Sequence, residues 1–257
     1  METSSRPELL RTQVLDIVCR NSLADCAPER LVAQWFSAHP EFLKNKSAKR
    51  RRVWVFGAGK AVLSMAEGVL AKLQNTKTVE FHPSILIAPQ DQRVPEAKKY
   101  ILPLEKAGFQ IEWGTHPHPS ADSVEATKKL LSKAAEVDAD DAVLFLLSGG
   151  ASALVCSPIA GVTVEEKAKR IAALMQSGLP IDAINVERAK LSQVKAGGLA
   201  RAFMTDPKNI SVLVLNDIVS GDLHLVGSGP FAKSGAQHFN INAFMKMSAS
   251  LSVKRAN

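Results

Sequence analysis

Three stretches of this chain set glycines, hydroxyls and cations at spacings that suit phosphate chemistry. The first is Asp141 to Val155, DAVLFLLSGGASALV. Its apolar run, Ala142 to Leu147, suits a strand buried on both faces. Ser148-Gly149-Gly150 breaks that run, and a helix can open through Ala151 and Ser152. A strand passing through glycines into a helix start gathers free backbone N–H groups, which is how proteins bind anions and phosphate above all. The alternative is a tight strand-to-helix turn without a ligand. The second stretch is Gly57-Ala58-Gly59-Lys60-Ala61, after the short apolar run Val53 to Phe56. It is not a P-loop, which needs glycine where Trp54 stands and Ser or Thr where Ala61 stands. It is not a dinucleotide fingerprint either, because the sixth position is Val62. What remains is a lysine at a helix start, where a cation is unfavourable unless an anion lies between it and the helix dipole. Lys60 could there neutralise charge on a transferred phosphoryl group, or it could simply face solvent.

The third stretch is Ile184 to Ala200, INVERAKLSQVKAGGLA. Asn185, Arg188, Ser192 and Lys195 recur at helical spacing and would share one face. Such a stripe can line an anionic cleft or lie on a solvated surface. Asp217, just past an apolar run, suits a metal or hydroxyl contact, or a loop cap. His116 and His118 alternate with prolines and read as turn residues, because no third metal ligand lies at useful spacing.

The elements that must position these groups alternate along the chain. Strands are expected near 53–56, 84–88, 109–113, 142–147 and 210–215. Helices are expected near 8–20, 28–38, 61–73, 96–107, 120–136, 163–176, 182–194 and 199–204. Thr163 and Glu166 form a capping-box pattern at the start of the 163–176 helix. Alternation of this kind implies right-handed crossovers and an α/β fold, a mostly parallel sheet with helices on both faces. Ligands then sit beyond the carboxyl ends of the strands, where the glycine loops, Asn216 and Asp217 fall.

Composition excludes some classes. Of 257 residues, 46% are hydrophobic and 22% charged, as in ordinary globular proteins. No apolar run approaches the roughly 18 residues of a membrane span. Three cysteines, Cys19, Cys26 and Cys156, show no metal spacing, which favours free thiols in a reducing compartment and a cytoplasmic protein. The net charge of +7 is concentrated in Lys44 to Arg52, with six basic residues and no acid. No aromatic residues are interleaved there to stack on bases, so a solvated linker is expected and not a nucleic-acid surface.

In order, GAGKA, THPHP, LLSGGASAL, GVTVEEK, INVERAKLSQVKAGGLA, NDIVSGD and GSGP resemble the glycerate kinases of the two-domain class whose second domain is called MOFRL. The matching pieces span roughly residues 53–230. The resemblance implies a Rossmann-like three-layer sandwich and transfer of phosphate from ATP, with Mg2+, to D-glycerate. It implies catalytic roles for Lys60 and Arg188. ATP would be held by Gly57, Gly59, Ser148, Gly149, Gly150, Ser152, Lys195 and Asp217, with Asp217 also on the metal. Asn185 and His116 would contact substrate, and the assembly would be a homodimer without membrane or nucleic-acid partners. The pattern is not followed everywhere: Ala196 stands for the first of three glycines, Glu187 for an apolar residue and Ser120 for an aspartate, and the Asn216–Asp222 loop carries an extra residue. A first domain over 1–232 is expected, followed by a poorly ordered tail over 233–257 with neither strand nor helix pattern. The MOFRL domain would be absent, as in a shortened or alternatively spliced form. A silent nucleotide- or phosphate-binding form is the rival expectation.

Overall fold

A computed structural model describes residues 26–44, 50–216 and 223–241. Six strands form one sheet: β1 Arg51–Ala58, β2 Val79–Pro89, β3 Gln110–Gly114, β4 Ala142–Ser148, β5 Ile210–Leu215 and β6 Gln237–Asn240. Their order is β3-β2-β1-β4-β5-β6, and every pairing is parallel. The chain winds outward from β1 in one direction and from β4 in the other. A crevice therefore opens between the carboxyl ends of β1 and β4, where their connections leave on opposite sides.

The helices are α1 Pro28–Ala38, α2 Val62–Leu73, α3 Lys98–Lys106, α4 Ala121–Ala134, α5 Ala151–Leu154, α6 Val164–Gln176 and α7 Ile181–Lys190. Alternation along β1 sorts them into layers. Val53 and Val55 join Leu31, Trp35, Met65, Val69 and Leu104 on one face. Trp54, Phe56 and Ala58 join Ala126, Leu130, Phe203 and Phe231 on the other. All of β4 is buried, which is why its sequence is an unbroken apolar run. Each large side chain so buried contributes about 1.5–3 kcal/mol. The expected three-layer α/β sandwich is thus the observed fold.

Several expected boundaries move for identifiable reasons. β2 starts at Val79, five residues before the expected Ser84, because Val79 to Pro83 pair with Arg51 to Val55. The register slips between Val55 and Gly57, beside Pro83, which has no N–H to give the ladder. The 199–204 helix shrinks to a 3-10 turn at Ala200–Ala202. Against the expectation of a tail without strands, Gln237 to Asn240 form β6 on the edge of β5. Four residues with one apolar member, Phe239, carry no readable alternation; the contact of Phe239 with Trp35, 5.2 Å between ring centres, is long-range. The expected helix over 8–20, most of the basic linker and residues 242–257 lie outside the described residues. The Arg52 end of that linker is structural: its Nε lies 2.8 Å from Asp141. Asp141 also accepts from the Trp54 indole at 2.8 Å.

Candidate functional site

The crevice is built by two loops clamped together. Ser148 closes β4, and its Oγ accepts from the Ala61 backbone N–H at 3.0 Å, at the N-cap of α2. The Lys60 N–H donates to the Gly149 carbonyl at 2.8 Å, and the Gly59 N–H to that of Ile87 at 3.2 Å. Gly59 has φ +134°, and a β-carbon there would collide with Ser148 Oγ. At Gly57 it would lie 2.6 Å from Val62 Cγ2 and 2.9 Å from Leu146 Cβ. Close packing therefore explains Gly57, Gly59 and the Ser148 hydroxyl without a ligand. Gly150 is different. Its φ is +87°, and a β-carbon would lie 3.1 Å from His116 Cδ2 and 3.2 Å from Lys60 Cγ. Lys60 and His116, from two other strand ends, thus meet the turn at Gly150. Lys60 is exposed there and His116 half-buried.

One turn deeper, Ser152 on α5 is a hub. Lys195 Nζ lies 2.6 Å from its Oγ and donates to its carbonyl at 3.2 Å. Arg188 Nη2 donates to the same Oγ at 3.3 Å, and Ser228 Oγ lies 2.7 Å away. Arg188 also reaches Asn185 Oδ1 at 3.4 Å, while its buried Nε has no partner among the described residues. No ion pair among the described residues includes Arg188 or Lys195. Burial holds the Arg188 guanidinium below its ordinary pKa. Lys195 falls to about 7, first through burial, then through the charges of Arg188 and Lys167. Desolvation and like charge both disfavour an ammonium, so near neutrality Lys195 exchanges between charged and neutral forms. The charged form donates to Ser152; the neutral one can accept from it.

The structure brings together Lys60, His116 and Gly150 at the mouth, and Ser152, Asn185, Arg188 and Lys195 behind it. The four-residue helical stripe is corrected in part. α7 ends at Lys190, because the next residues turn to bridge Pro158: Gln193 N–H donates to the Ser157 carbonyl at 2.9 Å. Ser192 donates to the same carbonyl at 3.3 Å and leaves the stripe, and Lys195 reaches Ser152 from a turn. Asp217 lies outside the described residues. His118 is exposed, with its carbonyl accepting from Thr115 Oγ1 at 2.6 Å. Among the described residues no three His, Cys, Asp or Glu could hold a metal ion together. No described helix is long and apolar enough to cross a membrane.

Three contributors are not evident from the residues taken one by one. Ser228 is visible in the sequence only as part of GSGP. Cys156 reads as a free thiol, which it is. Lys167 ends GVTVEEK beside the capping box, which does form, with Glu166 N–H donating to Thr163 Oγ1 at 3.1 Å. Lys167 itself is only 2% exposed and donates to Cys156 Sγ at 3.5 Å. The signal for it in the sequence is its place three residues after Val164, on the buried side of α6. A separate cleft of about 1150 Å3 lies at the amino ends of the strands, lined by Trp35, Arg51, Asp141 and Phe239 among others. It shares no residue with the Ser152 cluster. The convergence of cations, not cleft size, makes the carboxyl end of the sheet the candidate site.

Known proteins share this fold. A glycerate kinase structure from Thermotoga maritima superposes with a TM-score of 0.67 at 27% identity, covering 95% of this chain and 53% of that one. Glycerate kinase from Mus musculus is 30% identical over 221 residues, 81% of this chain and 41% of the mouse protein. A putative hydroxypyruvate reductase from Agrobacterium vitis is 30% identical over 220 residues, 82% of this chain and 47% of its own. The chain therefore spans about half the length of these relatives. The model of the domain of unknown function DUF4147 matches residues 14–254, across the crevice and β6 alike, and the chain belongs to that family.

Proposed function

We propose that this chain carries the phosphate-handling part of a glycerate kinase, acting in ATP-dependent phosphorylation of D-glycerate. The observation that supports this most is the meeting of Lys60, Arg188 and Lys195 around Gly150 and Ser152, with no ion-pair partner for any of the three among the described residues. Of the three, Arg188 is half-buried and Lys195 buried; burying such cations without counter-charge costs several kcal/mol per ion, and a bound anion offsets that cost. The cation set and the side-chain-free Gly150 thus fit the phosphates of ATP. Phosphoryl transfer asks a protein mainly for positioning and for positive charge where negative charge moves. Lys60 and Arg188 supply that charge, Lys195 and Ser152 hold phosphate oxygens, and His116 and Asn185 border the place for glycerate. Mg2+ would neutralise phosphate charge, with Asp217 as its expected protein contact. A homodimer in the cytoplasm belongs to the same proposal.

The reductase named among the relatives is the second reading. Against it stands Val62, whose Cγ2 packs on Gly57 where a dinucleotide fingerprint requires a small residue. Incubation with D-glycerate and Mg·ATP, and separately with hydroxypyruvate and a reduced nicotinamide nucleotide, separates the two. ADP formation that depends on D-glycerate, and a fall of at least 100-fold in Lys60→Ala, is expected. Turnover that survives Lys60→Ala overturns the mechanism. ATP binding without transfer assigns the silent phosphate-binding form, and nucleotide oxidation assigns the reductase.

A further inference from the structure

The cleft at the amino ends of the strands has no part in the phosphoryl transfer proposed for the crevice. It measures about 1150 Å3, ample for a ligand of nucleotide size. Arg51 at the start of β1, Ser211 on β5 and Phe239 on β6 line it from the sheet, and Trp35 from α1. Five lysines and arginines and four carboxylates line it in all. Most of these are engaged: Arg52 holds Asp141 at 2.8 Å, Lys208 holds Asp206 at 2.9 Å, and Glu41 and Glu80 meet His39 at 3.0 Å and His82 at 2.9 Å. Among the described residues Lys44, Arg50 and Arg51 are left without an ion pair, against the carboxylate of Asp140 alone. Arg51 is half-buried, and burial holds its guanidinium below the ordinary pKa. It lies over the Phe42 ring, 5.6 Å from the centroid, which attracts a cation but leaves its N–H groups free. Two buried donors also lack acceptors among the described residues. Trp35 is 1% exposed and its buried indole N–H has no partner; Ser211 is 7% exposed and its hydroxyl makes no hydrogen bond. Buried donors are seldom left so, because each one costs stability.

We infer that this cleft is a second ligand site, for a small anion that carries a planar ring, the chemistry shared by nucleoside monophosphates and aromatic carboxylates. Arg51 takes the anion, because a guanidinium matches phosphate and carboxylate oxygens in pairs. Lys44 and Arg50, both exposed, draw it in from the rim. The ring packs beside Phe239 and His39, whose own rings lie 4.9 Å apart. Acceptors on the ligand give the Trp35 N–H and the Ser211 hydroxyl the partners they lack. A bare inorganic anion would leave most of the space and the aromatic wall to water. The basic run Lys44 to Arg52 carries no interleaved aromatic residue in the sequence, and the fold supplies what is missing: Phe239 comes from the far end of the chain and stands 5.2 Å from Trp35. Cations and rings so joined mark a ligand site more strongly than a solvated linker does. The inference does not depend on what the crevice at the other end of the sheet binds.

The experiment is titration calorimetry of the full chain with AMP and with 2-naphthoate, beside inorganic phosphate as the anion alone and adenosine as the ring alone. At least one of the two ringed anions is expected to bind about 10-fold more tightly than phosphate or adenosine. AMP alone assigns the site to nucleotides, and 2-naphthoate alone to aromatic acids. Arg51→Gln is expected to weaken that binding about 10-fold, as loss of a charge-assisted contact does. Lys44→Gln with Arg50→Gln changes two exposed side chains, so folding is not at stake; it is expected to weaken binding about 3-fold and carries the test if Arg51→Gln does not fold. Lys60→Ala, at the opposite end of the sheet, keeps the affinity. Binding that Lys60→Ala abolishes and the cleft variants keep puts the probe in the crevice and overturns the inference, leaving the proposed phosphate handling intact. Phosphate bound as tightly as the ringed anions overturns it too, as does binding of neither ringed anion. Cleft binding by a chain that does not phosphorylate D-glycerate supports the inference and counts against the proposed kinase alone.

Discussion

Replacing Lys195 by methionine should remove a pH dependence of stability that one buried ammonium creates. Lys195 ordinarily titrates at 10.5 and in the fold near 7. Above pH 10.5 it is neutral whether the chain is folded or not, and its titration contributes nothing to stability. As the pH falls toward 7 the unfolded chain gains a proton that the folded chain refuses, so folding loses about 1.4 kcal/mol per pH unit. Below 7 the full penalty stands, on the order of 5 kcal/mol from the 3.5 units between the two values. Methionine keeps the apolar stem and cannot titrate. The stability of the parent minus that of Lys195→Met cancels every other group and should rise by about 2–3 kcal/mol from pH 7.5 to pH 9.5. Urea unfolding of both proteins at the two pH values measures it. A difference that stays flat within about 0.5 kcal/mol would refute the reasoning, because Lys195 would then titrate as an exposed lysine does. Saturating sulfate should flatten the slope in the parent only, since a bound anion returns the proton to the folded state.

Backbone geometry yields two further expected outcomes. Gly59→Ala puts a β-carbon into Ser148 Oγ at φ +134° and should cost at least about 3 kcal/mol, read as a lowered thermal midpoint, whereas Gly178→Ala, with φ +71° and open space around it, should cost only about 1–2 kcal/mol. Ala196 is exposed and sits at φ +48°, where an alanine is strained, so Ala196→Gly should raise stability by about 1 kcal/mol and the midpoint by about 2–4 °C; an unchanged or lower midpoint would show that the strain is already relieved.

The sheet is legible in the sequence because its signals are local. An apolar run such as Ala142–Leu147 can only be a strand covered on both sides, and glycine breaks such as Gly149-Gly150 mark where it must turn. The Ser148 loop, Lys60 and Arg188 are legible for a related reason: in a parallel sheet with crossover helices, the loops leaving the strands all gather at one end. β6 is not legible, since an edge strand of four residues is held by its neighbour and by Phe239 on Trp35 rather than by its own pattern. The end of α7 at Lys190 is equally hidden, because the bridge of Ser192 to Pro158 competes with helix hydrogen bonds that periodicity alone would continue.

By itself, then, the order of residues determined the layers, the end of the sheet where the candidate site lies, and most of the cations there. Only the tertiary structure decided what each group does with its charge and its space. It made Gly57 and Gly59 packing positions, turned the Ser148 hydroxyl inward onto Ala61, moved Ser192 out of the stripe and brought Ser228 in. The physical reason is that burial and like-charge proximity depend on distances between segments far apart in the chain. Nothing along the chain near Lys195 tells it that Ser152 and Arg188 will share its pocket.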